Sequence, residues 1–237
     1  MNIGVHAEGQ QIVDGGSLEV TAAVEGLEAA DFVLDDGTVR VTSSDDGING
    51  AGGTGQQEQV GDYSVTVNGG TLVINSEGDG LDSNGTAAIT GGTVVVNGPQ
   101  RNGNGALDVN GSFTISGGVL LAAGSAGMVV APGTGSAQGW LSATLDSAVA
   151  AGTTVQIADD AGDLVATYVT SKSVQNVVYS SSAIKSGEQY TVHIGGSASG
   201  DSTGGLSATG SLGSATEAAT VTAGEAPAGG FGGHGPR

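Results

Sequence analysis

The chain has 237 residues and carries 24 Asp and Glu against 5 Lys and Arg, a formal net charge of −19. Such a charge repels nucleic acid and anionic membrane surfaces, so nucleic-acid binding is set aside and cations or neutral ligands are the natural partners. Cysteine is absent, which excludes disulfides and thiolate metal sites, and no apolar run is long enough to insert into a membrane.

Short runs that alternate apolar and polar residues recur after glycine pairs or their equivalent. They are GGSLEVTA at 15–22, DGTVRVTS at 36–43, GGTLVINS at 69–76, GGTVVVNG at 91–98 and GGVLLAAG at 117–124. This alternation is typical of half-buried strands. The second glycines fall at 16, 37, 70, 92 and 118, so the steps between them are 21, 33, 22 and 26 residues.

A step of 21–22 residues with two or three short strands predicts one coil of a parallel β-helix, and therefore an all-β fold. Inward Val, Ile and Leu would stack from coil to coil about 4.8 Å apart. A single coil cannot bury its own apolar face, so stability would come from the stacking of neighbours. Insertions at coil corners, GTGQQEQVGD at 53–62 and PQRNGN at 99–104, explain the longer steps.

Another corner carries acidic and amide residues at matching positions. It reads VEGLEAA at 24–30, DDGINGAG at 45–52, GDGLDSNG at 78–85 and GNGALDVNG at 103–111. Aligning these stretches predicts two columns, one of Glu25, Asp46, Asp79 and Asn104, and one of Glu28, Asn49, Asp82 and Asp108, the last displaced by one inserted residue. Equivalent positions of a parallel helix lie above one another, so both columns would form a ladder on one edge.

Stacked carboxylates 4–5 Å apart repel by roughly 1 kcal/mol in water and by several times more where solvent is partly excluded. Because almost no Lys or Arg lies nearby in sequence, the repetition over four coils predicts a bound cation. Calcium fits best, since it takes six to eight oxygen ligands, whereas zinc and copper favour Cys and clustered His. Solvated Asp and Asn turns are the alternative explanation of each single motif. His6, His193 and His234 are expected to be structural or incidental.

Three segments together resemble a known family: SDDGING at 44–50, GDGLDSNGTAAITGGTVVVNG at 78–98 and NGALDVNGSFTISGGVLLAAGS at 104–125. They look like the secreted bacterial carbohydrate-binding β-helix domains that bind calcium and plant-wall polysaccharides, pectate and cellulose among them. VTSKSVQNVVYSSSAIKSGEQYTVHIGG at 169–196 is similar to the closing segment of those domains. The likeness covers about residues 4–196. It implies a right-handed parallel β-helix related in shape to pectate lyases, binding without cleavage, and a secreted or cell-surface location.

The resemblance also implies a set of calcium ligands on the acidic edge. The positions that match the family's acidic and amide motifs are Asp45, Asp46, Asn49, Asp79, Asp82, Asn84 and Asp108. Glu25 and Glu28 occupy the same columns in a less typical coil, so the site of that coil is the least certain part of the match.

The enzymatic alternative is tested on the basic residues. β-Helix lyases typically use Lys or Arg as the base, and residues 1–138 contain no Lys and only Arg40 and Arg101. Arg101 could neutralise a uronate, so we assign it, with Asn104, to ligand binding. Hydrolysis needs a protonated carboxylic acid, which ionised calcium ligands do not provide. A non-catalytic binder ranks first, ahead of a β-helix lyase or hydrolase and of a calcium-stabilised structural or adhesive surface protein.

The charge of the chain favours an acidic polysaccharide of the polygalacturonate type, since bound calcium would bridge protein and uronate carboxylates. A neutral polysaccharide would instead need flat aromatic platforms, and aromatic residues make up only 3% of the chain. The candidates are Trp140, Tyr63, Tyr168, Tyr179 and Tyr190, for which packing in the core or cap is the commoner role. Acidic polysaccharide therefore ranks above neutral glucan as the partner, and the sequence leaves open whether a protein partner exists.

The sequence divides into three parts. Residues 1–138 hold the coils, and residues 139–196 keep strand character without the coil period, which predicts antiparallel strands that close the end of the helix. Residues 197–237 form a tail rich in Gly, Ala, Ser and Thr, expected to be mostly flexible, with one strand in EAATVTAG at 217–224. The chain enters a repeat almost at its first residue, so we expect it to be a fragment of a longer protein.

Overall fold

The computed structural model describes residues 2–52 and 60–226, and within these ranges it contains strands and no helix. The described residues accordingly include no helix that is long and apolar enough to cross a membrane. Most of the insertion predicted at 53–62 and the end of the tail from residue 227 lie outside the described residues.

Five stacked coils form the first part of the fold. Coil one is the single long strand β1 (Ile3–Ala23), and coil two is β2 (Glu25–Ser43). Coil three consists of β3 (Ile48–Gly50), β4 (Ser64–Val67) and β5 (Thr71–Ser76), and coil four of β6 (Leu81–Ser83), β7 (Thr86–Ile89) and β8 (Thr93–Asn97). Coil five consists of β9 (Leu107–Val109), β10 (Phe113–Ile115) and β11 (Val119–Gly124). Strands of consecutive coils pair in parallel on three faces. The predicted all-β parallel β-helix is confirmed.

The glycine pairs mark one corner of every coil, as the sequence predicted. The second glycine of each pair has a positive φ, in the order Gly16 75°, Gly37 93°, Gly70 66°, Gly92 75° and Gly118 78°. Residues with a Cβ rarely adopt this left-handed conformation, whereas glycine adopts it without steric cost. The same turn therefore recurs in each coil and keeps the coils in register.

Inward aliphatic residues stack along the helix axis. Leu27 pairs with Ile48, Ile48 with Leu81 and Leu81 with Leu107, and all four are at most 1% exposed. Each such side chain contributes about 1.5–3 kcal/mol relative to the exposed state. Burial is complete only because a coil lies above and below, so the stack is stable as a unit.

Eight further strands follow the coils: β12 (Trp140–Val149), β13 (Thr154–Asp159), β14 (Leu164–Val169), β15 (Val174–Ser180), β16 (Gln189–Ile194), β17 (Ser197–Thr203), β18 (Leu206–Ser211) and β19 (Thr216–Thr222). β15 pairs antiparallel with both β11 and β12 and so covers the last edge of coil five. This confirms the antiparallel closing strands. The remaining six form an antiparallel sheet in the order β17-β18-β14-β13-β16-β19.

The six-stranded sheet covers the outer face of β5, β8 and β11 as well. Val95 of β8 lies in the same apolar cluster as Tyr168 of β14. The buried carboxamide of Asn97 accepts hydrogen bonds from the hydroxyls of Tyr168 (2.6 Å) and Ser171 (2.9 Å). One of the three faces of the coils is therefore closed to large ligands.

The expectation of a mostly flexible tail is wrong for residues 197–222, which form β17, β18 and β19. The strand predicted within EAATVTAG is β19. The physical reason lies in long-range pairing: the fully buried Gln156 donates to the carbonyl oxygens of Ser197 (3.2 Å) and Ser211 (3.1 Å). A composition averaged over the segment does not reveal such partners.

Candidate functional site

The short strands β3, β6 and β9, with the start of β2, bring the predicted acidic residues to one edge. The register Glu28–Asn49–Asp82–Asp108 holds across four coils and confirms the second predicted column. We call these four residues the second row, we call Glu25, Asp46 and Asp79 the first row, and we call both together the acidic edge.

The first row ends one coil earlier than the sequence predicted. Leu81 pairs with Leu107, so Gly105, two residues earlier, lies beside Asp79. The residue inserted into coil five comes before Gly105 in this pairing, so Asn104 is displaced from the first row by one position. The placement of Asn104 in the first column is therefore wrong, and its carbonyl oxygen instead accepts a hydrogen bond from Ser125 Oγ (3.0 Å).

Backbone hydrogen bonds tie the first row to the following coil. The N–H of Asp79 donates to Asp46 Oδ1 (2.8 Å), and the N–H of Gly105 donates to Asp79 Oδ1 (2.6 Å). The absence of a side chain at Gly78 makes room for this arrangement, because a Cβ there would lie 2.5 Å from Asp45 Oδ1 and 2.6 Å from Asp46 Oδ1. Each first-row aspartate thus uses one oxygen to join two coils.

The other predicted site residues take different positions. Asp45 is exposed beside Asp46. Asn84 follows the second row by two positions, and its Oδ1 accepts a hydrogen bond from Asn110 Nδ2 (3.1 Å). Arg101 is exposed in the corner insertion and makes no hydrogen bond or ion pair within residues 2–52 and 60–226. Arg101 therefore forms no ion pair with a described carboxyl of the acidic edge.

Burial and mutual repulsion raise the pKa values of the edge carboxyls. The pKa of Asp46 rises to about 7, and burial is the largest cause. Repulsion from Asp79, Asp45 and Glu25 raises it further, whereas the hydrogen bond from the Asp79 backbone lowers it. The pKa of Asp79 rises to about 6 for the same two reasons. The carboxyls therefore share an environment that disfavours their charged forms.

The second row carries the largest pKa value among these carboxyls. Burial raises the pKa of Asp82 to about 8, and repulsion from Asp46, Asp108 and Asp79 adds to it. Burial also raises the pKa of Asp108. The pKa of Glu25 is raised first by burial and second by the neighbouring side chain of Glu28. Neither Asp82 nor Asp108 has a side-chain hydrogen bond to any described residue. No hydrogen bond from residues 2–52 or 60–226 therefore offsets the free-energy cost of burying these carboxylates in charged form.

Positive partners are scarce on the acidic edge. In the described part of the chain its only contact with a basic side chain is that of His6 Nδ1 with Glu28 Oε1 (3.5 Å), which is an ion pair only when the imidazole is protonated. Lys172, from the segment before β15, pairs instead with the nearby Glu77 (3.0 Å) and donates to the carbonyl oxygen of Ser76. Cations of the described residues thus leave most of the charge of the acidic edge uncompensated.

Among the described residues, one amide oxygen of the second row has no hydrogen-bond partner. Asn49 Oδ1 is buried and accepts no hydrogen bond from residues 2–52 or 60–226, while Asn49 Nδ2 donates to Glu25 Oε2 (3.4 Å). An unmade hydrogen bond at a buried acceptor costs about 1–3 kcal/mol. Carboxylate and amide oxygens are the donors that calcium takes, so the residues present fit such an ion in their donor chemistry. In residues 2–52 and 60–226, however, no three His, Asp or Glu side chains come together as a metal-binding group.

His6 lies next to the second row in coil one, a position that sequence reasoning missed. Its Cα pairs with that of Glu28, which extends the row to coil one. A signal was present, since GVHA at 4–7 aligns with GLEA at 26–29. This coil lacks the Asp and Asn residues that define the motif in the other coils, so the motif alone does not reveal the alignment.

The Trp and Tyr residues that the structure describes do not provide exposed platforms for sugar rings. Trp140, Tyr168, Tyr179 and Tyr190 are 1–4% exposed and pack in the core or under the closing strands. Tyr63 is half-buried, and its hydroxyl donates to the carbonyl oxygen of Gly52 (2.5 Å). Packing was the commoner role expected for these residues, and the four buried ones have it.

Comparison with known proteins identifies the family. A family model described as carbohydrate-binding domain-containing protein matches residues 1–227, nearly the whole chain. The chain belongs to that family. No curated protein and no solved structure matches it. Family membership supports the predicted binding of carbohydrate and a polysaccharide as the partner in general, and it names neither the type of glycan nor a metal.

Proposed function

We propose that the protein binds an acidic polysaccharide of the polygalacturonate type through calcium held on the acidic edge, and that it does so without cleaving the chain. One observation carries this proposal: half-buried Asp46 and Asp79 of the first row and Asp82 of the second row lie on one edge with raised pKa values and without Lys or Arg partners among the described residues. We further propose a secreted or cell-surface location, where such polysaccharides occur.

The acids of the edge would have distinct roles toward the ion. Asp82 and Asp108 have both carboxylate oxygens uncommitted within the described residues. Asp46 and Asp79 each commit Oδ1 to a backbone N–H and retain Oδ2. Asn49 Oδ1 supplies a neutral oxygen. Calcium, when bound, would neutralise these groups and offer remaining coordination positions to uronate carboxylates.

Charge explains why a cation is needed at all. A protein at −19 repels a polyanion, and the acidic edge repels it most. Neutralising the edge removes that repulsion where the uronates must approach. The protein residues then position the negative groups at the spacing of the coils, about 4.8 Å, and a polymer can contact several of them at once.

Binding is favoured over cleavage by the state of the basic residues. Lys172 is 12% exposed in its side chain and is held by Glu77 and the carbonyl oxygen of Ser76, so its ammonium group is already paired. A lyase base must instead reach a substrate proton. Arg101 is exposed, with no described partner that would orient it or favour loss of its proton.

A structural role is the second candidate, and the backbone bonds of the first row favour it. Asp46 and Asp79 link coils three, four and five directly through their side chains. In this case calcium would stabilise the stack of coils without recruiting a glycan. The protein would then serve as a structural or adhesive element of a surface.

Isothermal titration calorimetry of polygalacturonate into the metal-stripped protein, with and without added calcium, tests the proposal. The edge variant Asp79→Ala/Asp82→Ala is titrated beside it. A control variant, Asp146→Ala/Asp201→Ala, removes the same charge at two exposed aspartates away from the edge. Circular dichroism and thermal melting establish that all three proteins are folded.

We expect glycan binding only with calcium in the wild type and the control, and none in the edge variant. Glycan binding that persists without calcium, or in the folded edge variant, would contradict the proposal. Calcium binding that raises the melting temperature without any glycan heat would leave the structural role in its place.

A further inference from the structure

Seven of the ten asparagines of the chain are followed directly by glycine, a pair whose side-chain amide is chemically labile. The pairs are Asn49–Gly50, Asn68–Gly69, Asn84–Gly85, Asn97–Gly98, Asn102–Gly103, Asn104–Gly105 and Asn110–Gly111. Glycine has no Cβ to hinder its backbone nitrogen, which can therefore attack the preceding side chain. Asparagine is accordingly one of the residues that are least stable to heat. Which pairs react in the folded protein depends on how the fold holds the nitrogen and the amide.

In six of the seven pairs the fold engages the backbone of the glycine. The N–H groups and their acceptors are Gly69 to Leu34 O (3.3 Å), Gly85 to Ser83 Oγ (3.2 Å), Gly98 to Ala123 O (2.8 Å), Gly105 to Asp79 Oδ1 (2.6 Å) and Gly111 to Gly85 O (2.7 Å). Gly50 lies within β3 and pairs with Ala29 and Ser83 of the neighbouring coils. A nitrogen that is held in this way keeps its proton and is not free to turn toward the side-chain carbon.

The pair Asn102–Gly103 is the exception. Both residues are exposed, and they form the turn of the corner insertion between coils four and five. Neither the Gly103 N–H nor the Asn102 amide forms a hydrogen bond with any residue in the ranges 2–52 and 60–226. A Cβ at Gly103 would meet nothing within 4 Å, so there is open space around the nitrogen. Water can therefore reach this pair from several sides.

Asn68 shows that exposure alone does not distinguish the pairs. It is exposed like Asn102, but its Oδ1 accepts a hydrogen bond from Thr90 Oγ1 (2.8 Å) and its Nδ2 donates to Asp35 Oδ1 (2.8 Å). Its amide is thus held on both sides while the Gly69 N–H is engaged as well. The amide of Asn102 lacks such partners among the described residues and can rotate toward the nitrogen of Gly103.

We propose that Asn102 is a site of spontaneous deamidation and that it is the pair that reacts in the folded protein. The backbone nitrogen of Gly103 attacks Asn102 Cγ, a C–N bond forms, and the bond from Cγ to Nδ2 breaks. The proton of the attacking nitrogen leaves with the amide group as ammonia. Water then opens the cyclic succinimide at either carbonyl carbon, which gives aspartate or isoaspartate. The inference does not rest on the proposed binding of polysaccharide.

The reaction would change the charge of a corner that carries a cation. Arg101 precedes Asn102, is exposed and forms no ion pair with another described residue. Deamidation places a carboxylate one residue away from this guanidinium and offsets its charge, which lowers the attraction of the corner for an anionic ligand. Isoaspartate also adds a methylene group to the main chain of the turn. The corner insertion would thus undergo a slow, one-way change of charge and of backbone length.

Peptide mapping by mass spectrometry tests the inference, with digestion at mildly acidic pH so that the digestion itself causes little deamidation. The folded full-length protein is incubated for several days at mildly alkaline pH, beside protein unfolded in guanidinium chloride. Gly103→Ala is the matched variant, because its Cβ meets no neighbour in the fold but hinders closure of the succinimide. Asn102→Asp marks the elution of the aspartate product. Melting temperatures establish that both variants are folded.

In the folded protein we expect Asn102 to deamidate at least about tenfold faster than the other six asparagines, because their sites must first open locally. Unfolding should bring all seven to comparable rates. Gly103→Ala should suppress the reaction at Asn102, and Asp35→Ala/Thr90→Ala should accelerate that at Asn68 by releasing its amide.

Equal rates at Asn102 and Asn68 in the folded wild type would overturn the inference. So would the absence of reaction at Asn102 under conditions in which the unfolded chain reacts, or an undiminished rate at Asn102 in Gly103→Ala. None of these results depends on calcium or on a glycan.

Discussion

The acidic edge and the outer face of β4, β7 and β10 are built on the same coils with the same parallel register, yet their outward residues behave in opposite ways. We call the second surface the neutral face, because its outward residues in coils three to five carry no charge: Ser64, Thr66, Asn68, Thr86, Ala88, Thr90, Ser112, Thr114 and Ser116. Asn68 and Thr90 of the neutral face form, with Asp35 at its border, a continuous chain of hydrogen bonds across three coils. On the acidic edge, Asp82 faces Asn49 and Asp108, and its pKa rises to about 8 through burial and repulsion. Stacking alone therefore does not decide whether a row is stable by itself.

The difference lies in the balance of donors and acceptors in each row. Asn and Thr can both donate and accept, so a stacked row of them satisfies itself. Ionised Asp only accepts, and a stack of such groups needs donors or a cation from elsewhere. First-row Asp46 and Asp79 obtain one backbone donor each, and second-row Asp82 obtains none among the described residues. The calcium ion that we propose would supply the missing positive charge at the acidic edge.

The largest expected effect tests whether the acidic edge needs its glycine corner. A Cβ at Gly80 would lie 2.2 Å from Val96 Cγ1 and 2.3 Å from the carbonyl oxygen of Ala106. Gly80→Ala should therefore lower the free energy of unfolding by about 3 kcal/mol, as overpacking does. Gly103→Ala is the control, because nothing lies within 4 Å of its added Cβ, and it should change stability by less than about 0.5 kcal/mol. Urea unfolding measures both, and equal effects would mean that the corner is not tightly packed.

The pH dependence of stability should distinguish the two surfaces next. The pKa values of Asp46 (about 7), Asp79 (about 6) and Asp82 (about 8) lie above the ordinary value of 3.8. The folded state then binds more protons than the unfolded state, so their contribution is fully present below 3.8 and is lost as the pH rises through the range of about 6 to 8. In EDTA we expect the melting temperature to fall by roughly 5 °C or more between about pH 5 and about pH 8.5.

Calcium should remove most of this pH dependence, because ionised ligands bind it best. The stabilisation by calcium should accordingly be larger at about pH 8.5 than at about pH 5. A melting temperature in EDTA that does not change over this range would contradict the account of the edge carboxyls.

The effect of Asp82→Asn on the melting temperature should be positive without calcium and negative with calcium. Without calcium, at about pH 9, the substitution removes repulsion with Asp46 and Asp108, and the melting temperature should rise by about 2–4 °C for each kcal/mol gained. With calcium, the lost carboxylate should reduce the stabilisation that the ion provides. Asp146→Asn, an exposed position in β12, should do neither. A variant less stable than the wild type in EDTA would show that repulsion does not govern this row.

The smallest effect is expected on the neutral face. Asn68→Ala removes hydrogen bonds to Asp35 and from Thr90 at an exposed position, which should cost about 0.5–1 kcal/mol. The cost should be the same with and without calcium. Ser116→Ala, on the same face without a described hydrogen bond, should cost less than about 0.5 kcal/mol. A calcium-dependent cost for Asn68→Ala would show that the two surfaces are coupled.

Glycine pairs and alternation sufficed to predict the coils, because both express local constraints that repeat. The five positive φ values at the second glycines and the register from Glu28 to Asp108 follow from that repeat. The misplaced Asn104 shows the limit, since one inserted residue between two motifs can be assigned to either side of the turn. The geometry of the turn, with the Gly105 N–H directed at Asp79 Oδ1, decides the assignment.

Other features depend on long-range contacts that a single sequence does not display. β17 and β18 form because Gln156 and the rest of the six-stranded sheet provide partners for their backbone. The neutral face was visible only as Ser and Thr at alternate positions of SVTVN, TAAIT and SFTIS, which resemble ordinary solvent-facing strand residues. Its lack of charge becomes informative once the three runs are placed side by side.

Titration of calcium alone into the metal-stripped protein by isothermal calorimetry, at about pH 8.5, tests the central claim most directly, since most of the edge carboxyls are ionised there. We expect saturable binding in the wild type and in Asp146→Ala/Asp201→Ala, and its loss in the folded Asp79→Ala/Asp82→Ala variant. Absence of binding in the wild type, or undiminished binding in the edge variant, would contradict the assignment of calcium to the acidic edge.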